Sequence, residues 1–472
     1  MPVRDTISAL VDWATSHGAT LHPSIEVYRD PQTGLSFRVK PSAQSPVQPY
    51  EAIVQLPTSL ALSYLNAVSE QGGRETSGPA GLPKEVLAGA APHVVSRLFL
   101  IQEYLKRDKS FWHPYIQALP QPGQANRSQW ALAPFWEDDE AELLDGTNVE
   151  VGIDKIRNDV TRDLKRAREL LRAHGDGAEG ALDRALTTEL YQWAYCIFSS
   201  RSFRPSLVLS EKQRRGLPAG VAVDDFSVLL PLFDIGNHDM TADVRWDLDD
   251  ESQACGLRVG RTHMPGQQVF NNYSMKTNAE LLLGYGFMLP VTEALHNDYT
   301  HVRKRTAPAA SDEYLISLRP VSHPSSVLAR ARQSLVLDAS AAVLGSFGHV
   351  QAEMVWDIFC TLAATPERRA ALIPVPEGAS GPPDAHQRGR FFAGKVEGEA
   401  RLYLQQTVAI IQHKVLQELE RLNETDVEVA DADEPDLTRN QRLALDYRGR
   451  CRRVLEGVLE SMSGDDILDH EY

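Results

Sequence analysis

Two polar stretches of the chain carry side chains that are suited to chemistry. The first follows the apolar run Ser227–Phe233 and ends in the pair Asn237-His238, while the second, residues 266–287, contains Tyr273 and Tyr285. A buried strand that delivers polar groups at its end is a common design for a functional site. The predicted site is therefore one of hydroxyls, carbonyls and aromatic faces.

Several common catalytic patterns are missing from the sequence. It contains no G-x-S-x-G nucleophile elbow, no H-E-x-x-H zinc motif and no phosphate-binding loop of the Walker type. Residues 284–286, Gly-Tyr-Gly, lack the third glycine of a dinucleotide-binding turn and follow a predicted helix instead of a strand. The sequence thus argues against the enzyme classes that these motifs define.

The elements that must position these residues alternate between strand-like and helical patterns. A strand, a turn at 31–34 and a second strand are predicted over Ser24–Val39. Further strands are predicted at Ala52–Leu56, Leu257–Val259 and Gln268–Asn271, and helices at His93–Arg107, Val151–Ala173, Ala181–Phe198 and Asn278–Tyr285.

Beyond about residue 297 the chain changes to long helical patterns. These patterns cover Ser325–Leu344, Val350–Leu372, Gly394–Leu422 and Leu437–Met462. They predict a separate all-α domain.

Composition narrows the class of protein. The 472 residues include 48 basic and 64 acidic side chains, which give a formal net charge of −16. Such a charge argues against a nucleic-acid partner and favours a basic one, such as a Lys-rich protein segment, although it can also serve solubility alone. The four scattered cysteines are typical of a reducing cytoplasmic or nuclear compartment, and no apolar run is long enough to predict a membrane span.

The two polar stretches together resemble the signature stretches of the SET domain. The form Asp-x-x-Asn-His at 234–238, followed by Tyr-x-x-Lys-x-Asn-x-Glu-Leu-Leu-x-x-Tyr-Gly-Phe at 273–287, resembles the RuBisCO large-subunit methyltransferase-like subfamily. Flanking stretches agree in order: Ile25–Pro57 resembles its opening strands, the aromatic run at 111–115 its helical insert, and 199–203 its Ser-Arg-x-Phe stretch. The helical C-terminal third resembles its substrate-binding lobe.

The resemblance implies an α+β fold. A SET core split by a helical insert would be followed by an all-α lobe, with parts at 1–92, 93–190, 191–296 and 297–472. In that family the two signature stretches thread past one another. An S-adenosylmethionine pocket lies on one face of this crossing and a narrow lysine channel on the other.

The same resemblance implies roles for individual residues. Tyr273 would be the catalytic tyrosine, and a protein with an exposed lysine would be the substrate. The residues implied at the cofactor are Gly34, Leu35, Arg201, Asn237, His238, Tyr285 and Phe287. Those implied at the substrate are Ser200, Phe203, Asp234 and Tyr285, with the carbonyls of Ser200 and Asp234 facing the methyl group; no metal is implied.

Plainer interpretations stand beside these roles. Asp234 is interpreted as a turn former that acts through its backbone, and Tyr115 as packing within the insert. His238 alone would more often be a structural hydrogen bonder. Lys276 and Asn278 are interpreted as caps of the following helix.

The sequence departs from the family pattern at a few positions. The opening strands keep only Gly34 of a Gly-x-Gly pair, Ser274 stands where Gly commonly follows the active-site tyrosine, and Asn271 stands where an apolar residue is usual. Two alternatives therefore stay open: a SET-fold binding module without transfer activity, and an enzyme that uses the same pocket on a histidine side chain or a small molecule.

Overall fold

The structure is a computed structural model of the chain. It describes residues 3–31, 33–68, 82–174, 180–249, 251, 253–303, 313–332, 343–376, 378, 381–426 and 437–464. The chain divides into two compact units, Met1–Phe135 with Lys155–Ser274, and Trp136–Asp154 with Met275–Tyr472. The four-part division expected from the sequence stays a prediction.

The strands of the first unit form small antiparallel sheets. These strands are β1 (Thr20–Leu21), β2 (Ile25–Asp30), β3 (Gly34–Val39), β4 (Ala52–Pro57), β5 (Leu62–Ser63), β6 (Ser202–Phe203), β7 (Val228–Leu229), β8 (Val244–Asp249), β9 (Ala254–Val259) and β10 (Gln268–Val269). They are ordered β1-β4-β9-β8, β10-β3-β2 and β5-β7-β6. The strands predicted at 24–39, 52–56 and 257–259 are confirmed, whereas the strand predicted at 268–271 is shorter and ends at Val269.

The hairpin of β2 and β3 is closed by local side-chain chemistry. The Asp30 carboxylate accepts hydrogen bonds from the Thr33 amide and hydroxyl, both at 2.9 Å. Gly34 then begins β3 with a φ of +80°, a conformation that glycine adopts without strain. Ile25 pairs with Val39 and Asp30 with Gly34, so the register is fixed from end to end. Gln32, which belongs to the predicted turn, lies outside the described residues.

Helices make up most of the remaining structure. They are α1 (Val3–Ser16), α2 (Tyr64–Val68), α3 (Lys84–Gly89), α4 (Pro92–Leu105), α5 (His113–Ala118), α6 (Arg127–Trp130), α7 (Asp138–Ala141), α8 (Glu150–His174), α9 (Gly180–Ala185), α10 (Thr188–Arg201), α11 (Pro205–Val208), α12 (Glu211–Arg215), α13 (Asn278–Tyr285), α14 (Val327–Arg332), α15 (Gly345–Gly348), α16 (Ala352–Ala363), α17 (Pro366–Leu372), α18 (Pro383–Phe392), α19 (Glu399–Glu424) and α20 (Arg439–Ser463). Among the described residues, none of these helices is both long enough and apolar enough to cross a membrane.

The helix predicted over residues 181–198 is divided. The pattern over Ala181–Phe198 folds as α9 and α10, because Thr187 accepts a hydrogen bond from the Leu190 amide at 3.1 Å and starts a new helix there. The helices predicted at 93–107, 151–173 and 278–285 are confirmed as α4, α8 and α13.

The second unit is mainly helical. Helix α19 buries Leu404, Val408, Ile411 and Val415, a stripe with helical spacing that faces the core. The patterns predicted at 394–422 and 437–462 are confirmed as α19 and α20, whereas the pattern at 350–372 is divided into α16 and α17 at Ala364, which has a φ of +60°. Of the pattern predicted at 325–344, residues 327–332 form α14 and residues 333–342 lie outside the described residues.

The prediction that residues 297–472 are all-α is wrong at one place. Strand β11 (Tyr299–Arg303) pairs with β12 (Glu313–Ser317) in an antiparallel hairpin. Both strands are rich in aromatic and β-branched residues, which favour the extended conformation. Tyr299, Val302 and Ile316 bury their side chains there, so packing outweighs the helical character of the surrounding sequence.

Candidate active site

The end of the first polar stretch and the part of the second stretch up to Ser274 lie side by side in the first unit. His238 and Asn271 form a parallel β-bridge. The Asn271 amide donates to the Asn237 carbonyl at 2.7 Å, and the Asp239 amide donates to the Asn271 carbonyl at 3.0 Å. Residues that are distant in sequence are thus joined by backbone hydrogen bonds, and the side chains that follow them meet.

A strained turn delivers the first stretch. Strand β7 ends before Pro231, which has no amide proton to continue a sheet. Leu232 then adopts a φ of +70°, and residues 233–235 form one turn of 3-10 helix. A leucine in this conformation costs about 1–3 kcal/mol, and the turn persists because its apolar side chains are buried.

Tyr273 is anchored to this turn by three contacts. Its hydroxyl donates to the Gly236 carbonyl at 2.8 Å, and its amide donates to His238 Nδ1 at 3.1 Å. Its ring stacks on the His238 ring with centroids 4.9 Å apart. Because Nδ1 accepts a hydrogen bond, the proton of the neutral imidazole lies on Nε2. The predicted catalytic tyrosine and the predicted Asn-His pair therefore belong to one site.

The hairpin of β2 and β3 reaches the same place. Asn237 Nδ2 donates to the Thr33 hydroxyl at 2.8 Å, and this hydroxyl in turn donates to Asp30. Gly34 follows directly, and a Cβ added there would meet no described atom within 4 Å. Leu35 follows on β3 and is half-buried. The structure thus places Asn237 in contact with Thr33, which directly precedes the predicted cofactor residues Gly34 and Leu35.

The carboxylate of Asp234 has partners that the sequence interpretation missed. Its side chain is only 2% exposed, accepts a hydrogen bond from the Tyr115 hydroxyl at 2.9 Å and lies 3.6 Å from the Arg201 guanidinium. Burial raises the pKa of Asp234, and the charge of Arg201 and the Tyr115 hydrogen bond only partly oppose this. Burial and the Asp234 charge also raise the pKa of Tyr115 well above its ordinary value.

The sequence interpretation did not predict this contact. Asp234 uses its carboxylate as well as its backbone in the fold, and the hydroxyl of the buried Tyr115 has a partner, while the functional roles of both residues stay predictions. The signal that could have found this pair was the tyrosine that ends the aromatic run at 111–115, because a buried tyrosine hydroxyl needs a partner.

Aromatic side chains pack against one another beside the turn at residues 232–235. Phe203 packs edge-on against Phe233 at 5.4 Å and Trp246 at 5.2 Å, measured between ring centroids. Trp246 Nε1 donates to Asn271 Oδ1 at 3.1 Å, which explains the polar residue at an otherwise apolar strand position. Sequence reasoning missed Trp246. The unusual Asn271, which needs a buried donor, was the available signal.

Ser200 lies near the end of α10. Its hydroxyl donates to the Cys196 carbonyl of the preceding turn at 2.8 Å, so the side chain is bound to its own helix. The Ser200 hydroxyl is therefore bonded within its own helix. This is compatible with the prediction that Ser200 acts through its carbonyl.

The remaining predicted residues lie in the second unit. Tyr285 and Phe287 have ring centroids 6.2 Å apart, and Lys276 Nζ lies 5.5 Å from the centre of the Tyr285 ring. Their cofactor and substrate roles stay predictions. The helix that carries Tyr285 is capped by Thr277, while Asn278 donates to Asp298 at 2.5 Å, so the interpretation of Asn278 as a cap is wrong.

Comparisons with known proteins agree with this geometry. No protein-family model matches the chain. The ribosomal lysine N-methyltransferase set10 of Schizosaccharomyces pombe is 26% identical over 313 residues, which cover 64% of this chain and 51% of the relative. The protein-lysine N-methyltransferase EFM1 of Saccharomyces cerevisiae is 26% identical over 59% of this chain and 48% of the relative. The human actin-histidine N-methyltransferase is 24% identical over 69% of this chain and 48% of the relative.

Solved structures show the same architecture. The SET domain of LSMT bound to lysine and AdoHcy superposes with a TM-score of 0.61 at 14% identity, covering 100% of this chain and 94% of that one. The fold is that of a SET domain. The α+β class and the resemblance to the RuBisCO large-subunit methyltransferase-like subfamily are confirmed. The SET-fold chain spans about half the length of the curated relatives it matches.

Proposed function

We propose that this chain is an S-adenosylmethionine-dependent methyltransferase that acts on a lysine side chain of a protein. One observation carries the proposal: backbone hydrogen bonds between Asn237 and Asn271 set the Tyr273 hydroxyl on the Gly236 carbonyl. Tyr273, Asn237 and the turn before Gly34 thereby lie in one site. The names of the relatives, several of which are protein-lysine methyltransferases, support the same reaction.

The residues at this site fit the proposed cofactor. Among the described residues, no atom lies within 4 Å of the position that a Cβ at Gly34 would take. Asn237, His238 and Arg201 would hold the polar amino-acid end of the cofactor, and Gly34 and Leu35 its neighbouring surface. When bound, S-adenosylmethionine supplies an electrophilic methyl group attached to a positively charged sulfur.

The chain's own groups would prepare the nucleophile. A free lysine has a pKa of about 10.4, so its nitrogen must lose a proton before it can attack. A dry wall such as that of Phe203 and Trp246 disfavours the ammonium form because it removes water. The Tyr273 hydroxyl donates a hydrogen bond to the Gly236 carbonyl, so its oxygen would serve the methyl group as an acceptor.

Positioning is the main contribution expected of such a site. Holding two reacting groups in line contributes about 7–11 kcal/mol to a displacement reaction. In this structure the Tyr273 ring is fixed by His238 on its face and by Gly236 at its hydroxyl. Carbonyl and phenol oxygens around a methyl group on sulfur add weak C–H···O contacts of about 0.5–1 kcal/mol each.

Histidine is the second candidate nucleophile. The human relative that covers 69% of this chain is an actin-histidine N-methyltransferase, and a neutral imidazole nitrogen requires no proton removal at pH 7. The two candidates therefore differ in how strongly the rate depends on pH. Transfer to lysine should rise steeply toward alkaline pH, whereas transfer to histidine should level off above about pH 6.5.

The proposed substrate is a protein with an exposed lysine in the cytoplasm or nucleus. The net charge of −16 favours a basic segment around that lysine.

A labelling experiment tests the proposal. The protein is incubated with cell lysate and S-adenosylmethionine that carries a labelled methyl group, and the labelled band is hydrolysed to amino acids. We expect label in methyl-lysine. Label in methyl-histidine would favour the second candidate. A chain that binds the cofactor in isothermal titration but labels no protein or metabolite would be a binding module.

A further inference from the structure

The Asp234 carboxylate joins three elements of the first unit. It lies in the turn after β7, receives the hydroxyl of Tyr115 from α5 and pairs with Arg201 at the end of α10. Asp234 and Tyr115 are buried, with 2% of the Asp234 side chain exposed, whereas 27% of the Arg201 side chain is exposed. A buried carboxylate is costly, so its presence in a strained turn calls for a reason.

The turn that Asp234 anchors also carries the Gly236 carbonyl. This carbonyl accepts the Tyr273 hydroxyl at 2.8 Å, and it lies two residues after Asp234 in a segment whose Leu232 is in a left-handed conformation. A Cβ at Gly236 would come within 3.1 Å of the Asn271 side chain, so the backbone here has little room to shift. A shift of the Asp234 carboxylate would therefore displace the Gly236 carbonyl and, with it, the Tyr273 hydroxyl.

We propose that the Asp234 side chain is a positioning residue with two separable effects. Through Tyr115 it holds the turn whose Gly236 carbonyl orients the Tyr273 hydroxyl, and through its charge it holds Arg201 toward the cofactor. The inference rests on the proposed methyl transfer and adds to it a role for two side chains, Asp234 and Tyr115, that do not touch the reacting atoms.

The two effects are separable because the two contacts have different chemistry. An asparagine at 234 still accepts a hydrogen bond from Tyr115, but it loses the charge that attracts Arg201. A phenylalanine at 115 leaves the charge on Asp234 but removes a hydrogen bond to a buried carboxylate. Asp234→Asn therefore tests the contact to Arg201, and Tyr115→Phe tests the contact to the turn.

Folding stability distinguishes positioning from simple structural support. Because burial raises the pKa of Asp234 above its ordinary 3.8, its contribution to stability is fully present below that value and is lost as the pH rises through the folded-state pKa. Above the folded-state pKa the ionised, buried side chain therefore lowers the free energy of unfolding. Asp234→Asn should melt no lower than the wild type at pH 7, because the neutral amide still accepts the Tyr115 hydrogen bond, whereas loss of a structural ion pair would lower the melting temperature.

A matched control exists in the same unit. Asp163 on α8 pairs with Arg97 at 2.9 Å, and Arg97 also donates to the Tyr191 hydroxyl at 3.3 Å. This cluster also contains an aspartate, an arginine and a tyrosine, but none of these three residues is a predicted site residue. Asp163→Asn should therefore leave transfer and cofactor affinity at wild-type values.

The experiment compares the full-length wild type with Asp234→Asn, Tyr115→Phe and Asp163→Asn. It measures the Kd of S-adenosylmethionine by isothermal titration, the single-turnover rate of transfer between pH 6 and 9, and the melting temperature at pH 7. We expect Asp234→Asn to raise the cofactor Kd about tenfold, the effect of losing one charge-assisted contact. We expect Tyr115→Phe to lower the transfer rate about tenfold with the cofactor Kd unchanged.

The pH profile of Tyr115→Phe gives a further sign. Loss of a hydrogen bond to the carboxylate raises the pKa of Asp234, so at acid pH the cofactor Kd of Tyr115→Phe should begin to rise at a higher pH than that of the wild type. Wild-type activity together with unchanged Kd, rate and pH profile in both variants would overturn the inference alone. A wild type that neither binds the cofactor nor transfers methyl groups would overturn the proposed function as well.

Discussion

At the scale of single residues, environment decides what an aspartate does. Asp163 lies 2.9 Å from Arg97 and 3.1 Å from His93, and although burial opposes the effect, these partners lower its pKa. Asp234 is more deeply buried and lies 3.6 Å from Arg201, so burial dominates and its pKa is raised. The pKa of the aspartate is thus lowered in one Asp-Arg cluster and raised in the other. Only the cluster in which burial disfavours the ionised aspartate lies at the candidate site.

Ser274 gives a prediction at this scale. It directly follows Tyr273 and has a φ of +83°, a conformation that a residue with a Cβ rarely adopts. Ser274→Gly should raise the free energy of unfolding by about 1 kcal/mol, since strain of this kind costs about 1–3 kcal/mol and the extra freedom of unfolded glycine offsets part of the gain. Urea denaturation measures the change.

A β-branched residue at the same position is the matched contrast. Ser274→Val should lower the free energy of unfolding, because valine tolerates the left-handed region less well than serine. If Ser274→Gly were less stable than the wild type, backbone strain at Ser274 would not be what destabilises the folded wild-type protein.

Site residues could be predicted from the sequence only where they are themselves positions of a recognisable motif. Asn237, His238 and Tyr273 stand in a recognisable order, and the structure joins them. The Asp234 carboxylate and the Trp246 indole were missed because their partners, Tyr115 and Asn271, are far away in sequence. Spacing along the chain carries no information about which buried polar groups satisfy one another.

At the scale of elements, α13 shows how a local signal fixes a boundary. The Thr277 hydroxyl accepts the Glu280 amide at 3.2 Å, and the Glu280 carboxylate accepts the Thr277 amide at 2.7 Å. This reciprocal capping box starts the helix at Asn278, and Gly286 ends it with a φ of +73°. The interactions that set both boundaries are local in sequence, which is why the sequence predicted this helix at its observed bounds.

Removing the cap gives a prediction for the element. Thr277→Ala should lower the free energy of unfolding of the second unit by about 1–2 kcal/mol, since the Glu280 amide loses its partner at a buried position. Thr277→Ser keeps the hydroxyl and is the matched control. Hydrogen exchange of the Glu280 amide should accelerate in the alanine variant only, and equal rates in both variants would rule out the cap as its protection.

Elements that depend on distant partners were harder to predict. The hairpin of β2 and β3 carries its own turn chemistry and was found, whereas β11 and β12 lie within a region of helical patterns and were missed. The break between α9 and α10 was missed because the apolar spacing continues across Thr187, although the threonine itself is a good N-cap.

At the scale of the whole molecule, the net charge is the property that acts over the longest distance. The formal charge of −16 attracts basic segments over a distance of about 10 Å at 0.1 M salt. We expect the KM for a Lys-rich peptide substrate to rise several-fold between about 0.05 and 0.3 M salt, where screening shortens this reach. Initial rates with a peptide of equal length and no net charge provide the comparison, and an equal response of both peptides to salt would contradict electrostatic attraction.

The central claim is that Tyr273, held by Gly236 and His238, completes a methyltransferase site. The most direct measurement is the single-turnover rate of methyl transfer by Tyr273→Phe, with the Kd of S-adenosylmethionine measured in parallel. Loss of the hydroxyl that docks on the Gly236 carbonyl should lower the rate about 100-fold, the scale of a small misalignment of reacting groups, and leave the Kd nearly unchanged. A variant that transfers methyl groups at the wild-type rate would contradict the claim.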